Sequence, residues 1–211
     1  MLLRDALRIE PGQSVAFTGA GGKTAAIRRL ARELTRALIT TTTKLGRGQA
    51  DLARHHLVDP TPDDLARIPQ LLEQSGAVLV TGLPSADGEK WTSPAPAMLE
   101  TLARIAAETG APLLIEADGA RGRSLKAPAE HEPVVPEFTN TVVPMAGLDV
   151  LGQPIDSPGI HRPERIAELP GLRPDPGLRG KVASELRIDR VLREDRVDLP
   201  RDDESDQATE R

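Results

Sequence analysis

The chain has no cysteine and no tyrosine, and its only aromatic residues are Phe17, Trp91 and Phe138 among 211 positions. Without cysteine there is no disulfide framework, no zinc knuckle, no iron–sulfur ligation and no thiol nucleophile. Scarce aromatics argue against single-stranded nucleic-acid binding, which relies on stacking platforms. Long apolar runs are missing too: none approaches the ~20 residues of a membrane helix. The opening MLLRDALRIEPGQ is interrupted by charge where a secretory leader would be apolar. These absences lead to the expectation of a cytoplasmic protein with neither a membrane nor a nucleic-acid partner. Lysine is scarce as well, at 5 residues against 22 arginines, so a position that keeps lysine draws attention to its compact point charge.

The length suits one domain with an appendage. The net charge of −5 is uneven, since the stretch from Asp202 onward is dominated by acids. The body before it is near neutral, which gives no global field toward polyanions. Apolar segments at Ser14–Phe17, Ala37–Thr42, Ala77–Thr81, Leu113–Ile115 and Asn140–Val143 read as strands. Between them, helical patterns run from Thr24 to Ala37, from Thr61-Pro62 to Gln74, and from Ser93-Pro94 to Gly110. Asp87-Gly88 marks a hairpin reaching Trp91. This alternation predicts an α/β fold, a P-loop-like parallel sheet with helices on both faces. The division falls into a body over 1–172 and a charged C-terminal extension over 173–211, expected to be disordered or partly helical.

The sharpest local signal is Thr18-Gly-Ala-Gly-Gly-Lys-Thr24, set between a strand and a helix. Glycines at such a turn let successive amides converge on an anion, and a helix N-terminus favours phosphate. On this reading Gly19, Ala20, Gly21, Gly22 and Lys23 hold the phosphates of ATP or GTP, and the Thr24 hydroxyl takes Mg²⁺. The match to G-x-x-x-x-G-K-[ST] is a variant, because Phe17 stands where the first glycine belongs. The competing reading is a plain strand–helix turn, but lysine in a helix's first turn opposes the dipole unless an anion is present.

Leu113 to Ile115 leads straight into Glu116-Ala-Asp118, an apolar strand delivering carboxylates to the ligand-bearing edge. Asp118 is expected at the metal and Glu116 at a nucleophile. Thr40 to Thr43 and Lys44 end the second strand at the same edge. The loop Ala120 to Pro136 offers Arg121, Arg123 and Lys126 for an anion and His131 for acid–base work. His161 and Arg162 precede a proline-started helix, with function and packing equally weighted. His55-His56 lacks a carboxylate at ligand spacing and reads as structural.

Together and in order, TGAGGKT, ITTTTK, IEADGARGRSLKAPAEHEP, the run Gly147 to Gly152 and HRPE resemble the YqeC family, over about Val15 to Glu164. Members are described as accessory proteins for selenium-dependent molybdenum hydroxylases. The resemblance implies a P-loop fold, a role in maturing such hydroxylases or their cofactor, and site roles for Lys23, Thr24, Lys44, Glu116, Asp118, Arg121, Lys126, His131, His161 and Arg162. After Glu164 the chain departs from the family pattern, in which a further α/β segment with an Asn-Lys-x-Asp-like sequence usually follows; ATP against GTP therefore stays open. Two functions follow: a Mg²⁺-dependent NTPase or phosphotransferase, or a non-catalytic, nucleotide-gated chaperone for a client hydroxylase or its cofactor.

Overall fold

A computed structural model describes residues 1–167 of the chain. The expected extension over 173–211, and with it the division at residue 172, lies outside the described residues. Six strands form one sheet: β1 (Ser14–Gly19), β2 (Ala37–Thr41), β3 (His55–Val58), β4 (Ala77–Thr81), β5 (Leu113–Glu116) and β6 (Thr141–Met145). Their spatial order is β3-β4-β2-β5-β1-β6, and every pairing is parallel. The expected parallel sheet flanked by helices is what the chain forms.

Parallel strands buried on both faces need side chains for two cores, and the alternation in the sequence supplies them. Val15 and Phe17 of β1, Ile39 of β2, Leu79 of β4 and Leu114 of β5 pack with Ile27 and Leu30 of helix α1 (Lys23–Glu33) on one face. Their neighbours Ala16, Leu38, Val78, Val80, Leu113 and Ile115 turn to the other face. There they meet Ile68, Leu71 and Leu72 of α2 (Ile68–Ser75) and Leu99, Leu102 and Ile105 of α3 (Pro96–Thr109).

Three details depart from the sequence reading. The helix expected from Pro62 to Gln74 is two, Pro62–Ala66 and α2, because Pro69 has no amide to give the Leu65 carbonyl. The helix expected from Ser93-Pro94 starts at Pro96, whose fixed φ suits a first helical position, after the extended Ala95. β3 is an edge strand that sequence reading did not mark, since its four residues are half-buried and carry two histidines instead of an apolar alternation. The Asp87-Gly88 hairpin is present, and Lys90–Trp91 pairs antiparallel with Leu45–Gly46.

Inside the stretch read as a loop, Leu125–Lys126 pairs in parallel with Ile160–His161. This ladder sits over a small third core of Ala127, Val150, Ile155, Ile160 and Ile166. Since β1 and β5 are neighbours and the helices that follow β1 and precede β5 lie on opposite faces, their carboxyl ends form a topological switch point, where open α/β sheets bind ligands. Leu102 is fully buried at the centre of the α2–α3 face. Leu102→Ala is expected to cost about 2–5 kcal/mol, read as a lowered urea midpoint with an unchanged slope.

Candidate functional site

The turn after β1 is held open from behind. Gly19, Gly21 and Gly22 all have positive φ, between 72° and 83°. A side chain at Gly19 would run into the Met145 carbonyl oxygen, 2.3 Å from its Cβ position, and one at Gly21 into the Gly147 backbone and the Ser124 carbonyl. The tight fit therefore comes from β6 and from the two segments that follow β5 and β6. Two of the turn's amides have partners: Gly19 N–H donates to Asp118 Oδ2 at 3.1 Å, and Ala20 N–H to the Met145 carbonyl at 2.9 Å. The next five amides, Gly21 to Ala25, have no acceptor among the described residues. They lie at the N-terminus of α1, where no side chain caps the helix. Orphan donors at such an end are satisfied by side chains, water or a ligand, and they carry the positive end of the helix dipole.

Lys23 opens α1 yet is buried, and its ammonium donates to the Gly19 carbonyl at 2.6 Å. Burial lowers its pKa from the ordinary lysine range, opposed by the nearby carboxylates of Glu116 and Asp118. Thr24 Oγ1 donates to Glu116 Oε2 at 3.0 Å and accepts from the Gln49 side-chain amide. Gln49 is itself fixed by accepting the Gly46 amide at 2.6 Å. Burial pushes the Glu116 carboxyl above its usual pKa, partly offset by the Thr24 hydroxyl and Lys23.

Asp118 has both oxygens engaged. Oδ2 holds the Gly19 amide, and Oδ1 is paired with Lys126, whose side chain is fully buried. Lys126 also donates to the Gly119 carbonyl at 2.8 Å and pairs with Glu132 Oε2 at 2.9 Å. Glu132 in turn holds Arg162 Nη1 at 2.5 Å. Arg162 and, behind it, Lys126 keep the Glu132 carboxyl far below the usual carboxylate range. A chain of four charges thus runs from the glycine turn to the Leu125–His161 ladder.

The structure gathers Gly19 to Thr24, Glu116, Asp118 and Lys126 at one edge, with Arg162 joined through Glu132. His161 stands beside Lys126 in the ladder register. It does not bring Lys44 or His131 to hydrogen-bonding distance of that group; both are exposed. Arg121 is exposed on a left-handed backbone (φ 50°), and Arg123 donates to the Pro158 and Ile160 carbonyls at 2.7 Å, a structural role. Thr41 and Thr42 hydroxyls are spent on the Glu116 and Val134 carbonyls. His56 packs edge-on against Trp91 and bonds Thr81, which agrees with a structural reading. Gln49, Glu132 and Met145 were missed. Glu132 sits within the acidic-basic run after Asp118, but nothing local in the sequence separates it from Glu130; Gln49 has no signal at all.

A parallel six-stranded sheet that brings a glycine turn, a Lys-Thr pair and two strand-end carboxylates to one edge defines a doubly wound α/β protein. The model of the YqeC protein family matches residues 15–164, and the chain belongs to that family. It is 44% identical over 66 residues to "Uncharacterized protein YqeC" of Escherichia coli (strain K12), a match that takes in 31% of this chain and 26% of that protein. The chain thus aligns with about a quarter of this relative's length. No solved structure matches significantly.

Glu132→Gln removes one of the two carboxylates on Lys126 and the carboxylate on Arg162. At pH 7 it is expected to lower stability by roughly 1–3 kcal/mol, less than a fully orphaned buried charge would cost, because Asp118 still pairs Lys126. A carboxyl with a depressed folded pKa contributes fully above its unfolded pKa, near about 4.3, and loses that contribution as pH falls below it. The gap between wild type and variant in urea melts should therefore narrow below about pH 4.

Proposed function

We propose that the chain is a P-loop-type nucleotide-binding accessory protein. The observation that carries this reading is the row of five open amides from Gly21 to Ala25, with Lys23 at its centre and Thr24 next to it. Oriented backbone donors, a helix dipole and a lysine at one turn are a phosphate-binding set. Support also comes from Lys23 itself, since a buried ammonium at the positive end of a helix gains from a polyphosphate anion. The nucleotide is ATP or GTP, and the compartment is the cytoplasm. The resemblance to accessory proteins of selenium-dependent molybdenum hydroxylases supplies the biological role: maturation of such an enzyme or its cofactor.

Mg²⁺ fits the donor set. Thr24 Oγ1 and Glu116 Oε2 are hard oxygen donors 3.0 Å apart beside the open amides. Among the described residues no group of three or more His, Cys, Asp or Glu is arranged for a metal. Magnesium needs no such cage, because it is commonly held by one or two protein oxygens with phosphates and water. Bound there, it would neutralise phosphate charge. Asp118, with both oxygens engaged, holds the turn in place, so the metal role expected for it passes to Glu116 with Thr24. Gln49 keeps the Thr24 hydroxyl aimed at Glu116. Lys23 and the five amides hold the phosphates and stabilise their charge, which is most of what phosphoryl transfer or hydrolysis asks of a protein.

One feature favours the second reading, a nucleotide-gated chaperone without turnover. Asp118 has one oxygen on the Gly19 amide and the other on Lys126, and Glu116 Oε2 is held by Thr24, so of the two carboxylates only Glu116 Oε1 is left without a partner among the described residues. Nucleotide hydrolysis measured with and without a client hydroxylase separates the two readings. Lys23→Ala tests what they share. Titrations with ATP and GTP, with and without Mg²⁺, should show the preferred nucleotide bound at least ~30-fold more weakly by the variant, the scale of about 2 kcal/mol for a charged hydrogen bond. Equal affinities in the two proteins would refute the phosphate-loop assignment.

A further inference from the structure

Gln49 meets Thr24 in a contact whose direction is fixed. It lies in a 3₁₀ turn over Arg47–Leu52, and its Oε1 accepts the Gly46 amide at 2.6 Å. Its Nε2 is left to face Thr24, so Gln49 is a donor there. The Thr24 hydroxyl accepts from Gln49 and gives its own proton to Glu116 Oε2 at 3.0 Å. The same segment holds the sole tryptophan. Leu45 and Gly46 pair with Trp91 and Lys90, and the Arg47 guanidinium lies 4.3 Å from the centre of the Trp91 ring. Arg47 Nε also donates to the Gly88 carbonyl at 2.6 Å. Leu45 and Leu52 are buried at either end, and Asp51 is paired with Arg28 of α1 at 2.7 Å. Between those anchors Arg47 and Gly48 are exposed, and the space beside Gly48 is open. The part of the turn with room to move is the part that Gln49 ties to α1.

We propose that Gln49 is a latch opened by a cation at Thr24, coupling the loading of the glycine turn to the segment that holds Trp91. The latch rests on the reading of Thr24 and Glu116 as magnesium ligands. Two oxygens that share a cation both turn lone pairs toward it, so the Thr24 proton must leave Glu116. A hydroxyl has one proton and two lone pairs, and Gln49 occupies one of the pairs. Its Nε2–H dipole then points a positive end at an oxygen that carries a dication. A bound dication is among the largest charges in its surroundings, and a donor hydrogen beside it is repelled. Gln49 has two ways to respond. Turning the amide over breaks its bond to Gly46, because Oε1 is already engaged there. Withdrawal from Thr24 removes the contact that holds the Gln49 side chain in place. Either response loosens Gly46, and the change passes along the Leu45–Trp91 pairing.

Trp91 is the only tryptophan, so its emission reads this segment alone. The full chain is titrated with ATP and with GTP, each with Mg²⁺ and with EDTA, while amide exchange follows Gly46. Nucleotide with Mg²⁺ is expected to change Trp91 emission and to speed Gly46 exchange at least ~3-fold, and nucleotide with EDTA to do neither. Gln49→Met keeps the length of the side chain and removes the donor. It should bind Mg²⁺–nucleotide about 3- to 10-fold more tightly than wild type, the scale of one released hydrogen bond, with no change at Trp91. A residue that merely supported the site would weaken binding when replaced. Wild type that binds Mg²⁺–nucleotide with Trp91 and Gly46 unmoved overturns the latch and leaves the nucleotide reading intact, as does equal or weaker binding by Gln49→Met. If urea melts show that the variant does not fold, Gly46 exchange in wild type decides alone. Failure of wild type to bind either nucleotide refutes the latch and the nucleotide reading together.

Discussion

Asp118 is the group on which the candidate site turns. One of its oxygens fixes the first amide of the glycine turn and the other meets a lysine with no solvent exposure. A buried carboxylate is tolerable only when its oxygens are bonded and its charge is matched, and here one residue satisfies both demands with partners from different parts of the chain. The turn after β1 and the ladder at residues 125 and 161 are thereby tied to the same point at the end of β5. Their close approach at Gly21, with the backbones of Ser124 and Gly147, follows from that tie.

The charges around Asp118 leave open donors at this edge although four charged side chains are buried there. Lys23, Glu116, Asp118 and Lys126 balance one another in number. The balance leaves the helix N-terminus itself unmatched, with five amides from Gly21 to Ala25 pointing to no protein acceptor among the described residues. Preorganised donors of this kind cost little to align when a ligand arrives, which is how a rigid edge can favour phosphate without a large conformational change. The sheet supplies the rigidity, because β1 and β5 have fully buried apolar residues on both faces and the turn and carboxylates extend directly from them.

Much of this was legible in the residues. Val15 to Phe17 and Leu113 to Ile115 announce buried strands by apolar content, and the glycines between β1 and α1 announce the turn, because these signals are local. Edge strand β3 was not legible, since half-buried residues at a sheet edge need no apolar period. The split at Arg67 follows from Pro69, a local cause that the stronger Thr61-Pro62 start signal masked. The site divides the same way. Lys23, Thr24, Glu116 and Asp118 are readable from motif and strand position, whereas the roles of Gln49, Glu132 and Met145 exist only through contacts between segments distant in sequence. Lys126 illustrates the limit well: its type and neighbourhood pointed to an anion, and the anion it meets is the protein's own Asp118 and Glu132.

The central claim is that the amides from Gly21 to Ala25 are the phosphate cradle, and Gly19 and Ala20 are its already bonded support. Amide ¹H–¹⁵N spectra of the full chain, taken as Mg²⁺ and nucleotide are added, address each of these groups separately. The account predicts large shifts confined to Gly21, Gly22, Lys23, Thr24 and Ala25, with Gly19 and Ala20 little changed because Asp118 and the Met145 carbonyl already hold them. Shifts absent from those five amides, or centred elsewhere on the protein, would contradict it.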